Sequence, residues 1–355
     1  MKSSSNTLRT IDELCAQALL PRDKLDALAE VAARYAVALT PAMADLIDRD
    51  NPDDPLARQF VPDARELEPK PEERADPIAD DPFSPVEGVV HRYPDRVLLK
   101  IVNACAVYCR FCFRREMVGP GRGGLSAAAL AAALDYIESH PQIWEVILSG
   151  GDPLILSARR INDVMRRLAA IPHVDVIRAH TRIPVVAPER FNASLVRALR
   201  ADKATFIVLH ANHPRELTQQ ARAACARLID AGIPMLSQSV LLRGVNDNIE
   251  TLGTLMRTFV ACRIKPYYLH HADLAPGTAH LRTTIAEGQE LMRALRGRFS
   301  GLCQPTYVLD IPDGHGKSPI GPNYVSASDA AESVAGASTL IEDYTGRRHV
   351  YPPKP

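Results

Sequence analysis

The sequence predicts an α/β fold on a parallel sheet, a partial (β/α)6 TIM-like barrel with an N-terminal helical region and a C-terminal extension. Two observations carry this. Six short apolar runs alternate with amphipathic stretches between residues 97 and 270, and such alternation implies right-handed crossovers feeding a parallel sheet. Polar residues gather just after the runs, at Cys105, Ser149-Gly150-Gly151-Asp152, His180, His210, Gln238 and Asp273. An open doubly wound sheet satisfies the alternation equally. A barrel gathers its chemistry at the C-terminal strand ends, and the polar positions favour it.

The elements follow in order. Residues 10 to 49 read as helical: Thr10 and Glu13 have capping-box spacing, and Leu25, Leu28, Ala32, Tyr35 and Leu39 mark one face. Thr40-Pro41 reads as an N-cap followed by proline at the first helical position. Residues 51 to 88 hold eight prolines and eleven acids against four basic residues. That proline density forbids regular hydrogen bonding, so the segment is a connector wrapped on or tethered beside the core. The expected strands are Val97–Val102, Glu145–Leu148, Val174–Ala179, Thr205–His210, Met235–Val240 and Pro266–His270, with helices over Ser126–Ser139, Ala158–Ala170, Ala193–Ala201, Pro214–Ala231 and Ile249–Ile264. From about Ser300 one apolar run, Tyr307–Leu309, leads into Asp310, and a hairpin is expected around Thr345-Gly346. The domain reading is residues 1–88 (helices and acidic connector), 89–299 (barrel) and 300–355 (C-terminal segment).

Composition narrows the function. The chain has 355 residues, 46% of them hydrophobic, enough for a sizeable core. Lysine plus arginine and aspartate plus glutamate number 42 each, so the formal charge is zero. That balance argues against a protein built to coat nucleic acid or an anionic membrane. Polar residues 1–10, followed by Asp12 and Glu13, leave no apolar leader, and no run approaches a membrane span. The expected location is the cytoplasm, where clustered cysteines mean metal or catalysis, not disulfides.

Seven cysteines are present, and three of them, Cys105, Cys109 and Cys112, form C-x3-C-x2-C directly after the first barrel strand. A structural zinc site wants four ligands, commonly two C-x2–4-C pairs, and no second pair exists. Three thiolates suit a [4Fe–4S] cluster held at three irons, with the fourth iron open to another ligand. Cys15, Cys225, Cys262 and Cys303 have no ligand spacing and read as small apolar residues.

C-x3-C-x2-C with Phe111 before the last cysteine, at the end of the first strand, resembles the radical S-adenosylmethionine (SAM) superfamily, whose partial barrel is the fold expected here. The motifs His91-Arg92-Tyr93-Pro94-Asp95-Arg96, Cys112-Phe113-Arg114-Arg115, Ser149-Gly-Gly-Asp-Pro-Leu154, Gln238-Ser-Val-Leu-Leu, Tyr267-Tyr268 with Asp273, and Asp310 followed by Gly316-Lys317 are together similar to the lysine 2,3-aminomutase family. The ordered match covers most of the chain.

The resemblance implies an isomerase that moves the amino group of L-lysine from C2 to C3, giving β-lysine. Its cofactors would be a [4Fe–4S] cluster on Cys105, Cys109 and Cys112, SAM as radical source, and pyridoxal 5′-phosphate. Ser149, Gly150, Gly151, Asp152, His210 and Gln238 match SAM-binding positions. The two glycines would let the backbone approach the methionyl part, and Asp152 would accept from its amino group. Lys317 matches the lysine that carries pyridoxal phosphate as a Schiff base, which favours a buried site, with Gly314 and Gly316 admitting the cofactor. Arg92, Tyr93 and Arg96 match the phosphate-binding group. Arg114 matches the guanidinium for the substrate α-carboxylate, and Asp273 and Asp310 the carboxylates for its ε-ammonium, because a buried ammonium needs compensating charge. The implied partners are L-lysine, an electron donor such as flavodoxin or ferredoxin, and further copies of the chain in a homo-oligomer.

Taken singly, the same residues have plainer readings. Gly-Gly-Asp-Pro is an ordinary turn, His210 a structural histidine, Lys317 a surface residue, and each aspartate a cap. Three alternatives stand beside the main one. They are a sister enzyme making (R)-β-lysine for elongation factor P, a 2,3-aminomutase for another amino acid, and a non-catalytic iron–sulfur or zinc protein.

Overall fold

The computed structural model describes residues 6–119, 123–327 and 339–352. Its N-terminal region is helical in short pieces: α1 (Ile11–Ala16), α2 (Leu25–Arg34) and α3 (Pro41–Ala44). The Thr10 hydroxyl accepts from the Glu13 N–H at 3.1 Å and Glu13 accepts from the Thr10 N–H at 3.0 Å, so the capping box forms. The helical face ends sooner than the spacing implies. Tyr35 is already extended, and Leu39 bridges to Leu8 as a short antiparallel pair. Thr40 precedes Pro41 as expected, but its hydroxyl donates to the Val186 carbonyl at 2.6 Å and does not cap α3.

The connector is ordered turns with one short helix, α4 (Ala57–Phe60), and it is wrapped on the core. Asp54, Glu66 and Asp80 are almost wholly buried, each 0–1% exposed. Buried carboxylates need partners, and their partners are arginines of the barrel.

Strand β1 (Val89–Tyr93) pairs antiparallel with β2 (Arg96–Val102). From β2 the sheet runs parallel through β3 (Glu145–Gly150), β4 (Val176–Thr181), β5 (Ala204–His210), β6 (Met235–Leu241), β7 (Ile264–His271) and β8 (Thr306–Ile311). Strand β9 (Gly316–Pro319) returns antiparallel along β8 and completes a nine-stranded sheet. Helices α5 (Ala127–Glu138), α6 (Ala158–Ala169), α7 (Ile183–Val186), α8 (Ala193–Leu199), α9 (Gln219–Asp230), α10 (Ile249–Ala261) and α11 (Ile285–Leu295) cover it. All six expected strands are present, each followed by helix, as in a partial (β/α) barrel. The third of them, β4, begins and ends two residues later than its apolar run, which puts His180 and Thr181 inside the strand.

The sheet continues past residue 299. Tyr307–Leu309 belongs to a seventh parallel strand, so the segment from 300 joins the barrel through β8 and β9. A separate three-stranded antiparallel sheet follows, β10 (Val325–Ala327), β11 (Thr339–Glu342) and β12 (Arg348–Tyr351). The expected hairpin at Thr345-Gly346 is the β11–β12 turn, with Gly346 at φ +84°. No helix among the described residues is long and apolar enough to cross a membrane.

Candidate active site

A cavity of about 510 Å³ runs through the barrel, and every expected site residue lines it. At one end lie Cys105, Cys109 and Cys112 on the loop after β2. Burial raises all three thiols, Cys105 well above its usual range and Cys112 to about 11, where the neighbouring Cys109 adds to the effect. A cationic iron centre reverses that preference by taking the place of the thiol protons. Among the described residues no three His, Cys, Asp or Glu side chains converge on one metal ion. A structural zinc site wants four ligands, whereas a four-iron cluster would need only the three thiolates, with one iron left open. Three free thiols walled by Phe111 and His210, whose rings lie 5.6 Å apart, fit such a group.

The Ser149–Asp152 turn lies beside the cysteine loop, and its glycines have a packing duty that their spacing does not announce. A Cβ on Gly150 (φ +122°) would sit 2.1 Å from the Val102 carbonyl oxygen, and one on Gly151 2.2 Å from that of Ala104. They admit the backbone of the cysteine loop itself. Asp152 is likewise occupied by the protein. Its buried carboxylate accepts from the Leu154 N–H at 3.0 Å, the Thr181 hydroxyl at 2.8 Å and the Arg182 N–H at 2.6 Å. His210 and Gln238 face each other in register across β5 and β6. Burial, with Arg182 nearby, holds the His210 ring well below its usual range, so it is neutral, and it bonds Asn212 at 3.1 Å.

Arg114 is buried, and its orientation is set by a residue outside the expected set. Its Nε and one terminal nitrogen donate to Asp80 at 2.9 and 2.7 Å, while the other terminal nitrogen reaches the Ser149 hydroxyl at 3.4 Å. The end-on edge of the guanidinium is left for a carboxylate. Arg92 is turned to the same connector: it donates to the Ile78 and Ala79 carbonyls at 2.7 and 3.1 Å and to Asp80 at 3.2 Å. Arg96 stacks on the Tyr93 ring at 3.9 Å and pairs with Asp95. Of the expected phosphate group, Arg96 and Tyr93 keep the freer faces toward the cavity.

Lys317 opens β9, and its ammonium meets both oxygens of Asp310 at 2.7 Å. The expected burial is not met: its side chain is 32% exposed. Gly314 and Gly316 also serve the protein, since a Cβ on the first would meet the Phe83 ring and on the second the Tyr93 hydroxyl at 2.9 Å. Burial disfavours the Asp310 charge, but hydrogen bonding from His270 and the Lys317 ammonium outweigh it and hold the carboxyl low. Asp273 shares the chamber and behaves oppositely. Burial and the Asp310 charge push it up to about 7.

The residues missed by sequence reasoning are Asp80, Glu66, Glu216 and Arg182. Glu66 holds Arg110 and Arg115, and Glu216 holds Arg182 at 2.7 Å. Arg182 follows β4 directly, where barrel chemistry gathers, and that position is its one sequence signal.

Three thiols at the end of the first parallel strand of a nearly closed barrel define a radical SAM enzyme, and residues 99–255 match the model of the Radical SAM superfamily. Residues 292–351 match a second model, described as Lysine-2,3-aminomutase. The L-lysine 2,3-aminomutase of Acetoanaerobium sticklandii is 42% identical over 90% of this chain and 77% of its own length, and that of Clostridium subterminale 41% over the same shares. A glutamate 2,3-aminomutase from Clostridioides difficile is 34% identical over 90% of this chain and 76% of its own. The chain belongs to the lysine 2,3-aminomutase family, isomerases of the radical SAM type. Membership brings SAM and a [4Fe–4S] cluster with it.

Proposed function

We propose that this protein converts L-lysine to β-lysine by radical 1,2-migration of the amino group, using pyridoxal 5′-phosphate on Lys317 and a cluster on Cys105, Cys109 and Cys112. The family also contains a glutamate enzyme, so substrate choice must come from the site. One observation carries the reading: the Asp310–Asp273 corner already receives a primary ammonium, that of Lys317, at 2.7 Å from both Asp310 oxygens. The ε-ammonium of lysine is the same group. The side-chain carboxylate of glutamate would meet two aspartates there.

The geometry supports a role for each residue. Arg114 offers its end-on edge to the α-carboxylate, and Asp310 and Asp273 receive the distal ammonium, so the substrate is held at both ends. That fixes Cβ for hydrogen abstraction, and such positioning contributes more here than acid–base strength. When bound, SAM on the open iron supplies a deoxyadenosyl radical and pyridoxal phosphate supplies the π-system across which nitrogen moves. Arg96 and Tyr93 would hold the phosphate, and Lys317 the cofactor aldehyde. With substrate and cofactors in place the chamber would have to exclude water and oxidants. Reduction would come from a flavodoxin or ferredoxin, and the working form would be a homo-oligomer in the cytoplasm.

The test is an anaerobic assay of reconstituted protein with SAM, pyridoxal phosphate and reductant, offering lysine and glutamate in parallel. β-Lysine is expected, and chiral analysis decides between the free-lysine enzyme and the elongation-factor sister. Turnover of glutamate without lysine overturns the substrate. In Lys317→Ala the Schiff-base absorbance disappears while the iron–sulfur spectrum remains; its persistence removes Lys317 as the anchor.

A further inference from the structure

Arg182 reaches the cysteine loop by an unusual route. Its Nη1 lies 3.0 Å from Cys109 Sγ, and its Nη2 donates to Gln59 at 2.5 Å and to Glu216 at 2.7 Å. Its backbone N–H is held by Asp152 at 2.6 Å. The guanidinium lies between the Phe60 and Phe111 rings, 4.7 and 5.3 Å from their centres. Glu216 is fixed in turn by the N–H groups of Asn212 and His213, both at 2.9 Å, and by Gln59 at 3.2 Å. Arg182, Gln59, Glu216, Asp152 and the two rings are buried, and Cys109 is half-buried. Nothing in the radical chemistry requires a cation at this place, yet the fold provides one and fixes it from several directions.

We propose that Arg182 sets the reduction potential of the cluster through its hydrogen bond to Cys109, which rests on the reading that Cys109 is a cluster ligand. One external electron converts the oxidised cluster to the reduced one. No proton moves, because the guanidinium stays charged in both states. The added charge spreads onto the sulfurs, so an N–H aimed at a thiolate stabilises the reduced state more than the oxidised one. Hydrogen bonds to sulfur are among the levers that tune such clusters. Glu216 offsets the formal charge of Arg182, but the positive end of the pair is the one that touches sulfur. The low-dielectric surroundings preserve the effect. Arg182 is therefore a positioning and tuning residue: it raises the potential to a value the donor can reach.

The experiment compares wild type, Arg182→Lys, Arg182→Gln and the double variant Arg182→Gln/Glu216→Gln, all reconstituted anaerobically without SAM. Iron content is measured first, then the midpoint potential by redox titration followed by electron paramagnetic resonance. Arg182→Gln is expected to shift the midpoint to a more negative value at full iron content. The double variant, which leaves no unpaired buried carboxylate, shifts the same way, and Arg182→Lys falls between. A wild-type potential in iron-replete double variant overturns the proposal and leaves Arg182 a purely structural residue. If the glutamine variants take up no iron, Arg182→Lys carries the decision, and an unmoved potential there overturns it equally. Full iron content in Cys109→Ser fails the ligand reading instead, separately from the tuning.

Discussion

Asp273 and Asp310 show how one chamber gives identical side chains opposite charge preferences. Asp310 has a lysine ammonium and His270 against it and stays ionised. Asp273 has burial and a negative neighbour, and its carboxyl is pushed up to about 7. A cationic ligand binds the ionised form, so binding lowers that value and releases the proton. As pH falls through 7 the free site holds a neutral Asp273, and lysine affinity falls, approaching about tenfold per unit well below it. The expected outcome is a KM for lysine that rises steeply from pH 7 to pH 6 and is flat from pH 7.5 to 8.5. Asp273→Asn removes the steep limb and raises KM at pH 8. A wild-type KM that is flat down to pH 6 assigns the ammonium to Asp310 alone.

At the scale of elements, the strands were legible and the connector was not. Val97–Val102 and Thr205–His210 are runs with strand length and turn residues at both ends, and both form nearly as read. Thr10–Glu13 announced its capping box because that bond is local. The connector carries its meaning in contacts that spacing cannot reveal. Asp80 lies 34 residues from Arg114, and Glu66 lies 44 from Arg110. The proline-rich stretch reads as a connector wrapped on or tethered beside the core, but nothing in its spacing tells which of its eleven acids are buried, and two of them each hold a pair of arginines. The glycines of Ser149–Asp152 have a packing duty hidden for the same reason: they admit a neighbouring loop. The connector thus belongs to the site. Asp80→Asn leaves Arg114 without its buried counter-charge and free to turn. Truncating one partner of a buried hydrogen-bonded charge pair costs about 2–5 kcal/mol, so KM for substrate is expected to rise at least tenfold while iron content is kept. Steady-state kinetics beside an iron assay check this, and an unchanged KM shows that Arg114 needs no such support.

On the scale of the whole molecule, the barrel is open between β1 and β9, and the two edges are joined by a side chain. The Tyr93 hydroxyl, at the end of β1, accepts from the Lys317 backbone N–H at 2.7 Å, and Gly316 gives the ring room to reach it. The sequence concealed this because Tyr307–Leu309 offers only three apolar residues, too few to mark β8 as a barrel strand, and β9 reads as a glycine loop. The residue that would carry the cofactor therefore sits on the closing edge, 224 positions from the tyrosine that holds it. Tyr93 then has a second duty besides any contact with phosphate. Tyr93→Phe keeps the ring that stacks under Arg96 and removes only the acceptor. One hydrogen bond of this kind contributes about 1 kcal/mol net, so the fold survives, but the β9 edge opens more often. Amide hydrogen exchange at Lys317 is expected to quicken several-fold, with a matching loss of pyridoxal phosphate affinity, while exchange in β3 to β6 is unchanged. If the Lys317 amide exchanges at the wild-type rate in Tyr93→Phe, the edge is held by β8 alone and the tyrosine serves the phosphate only.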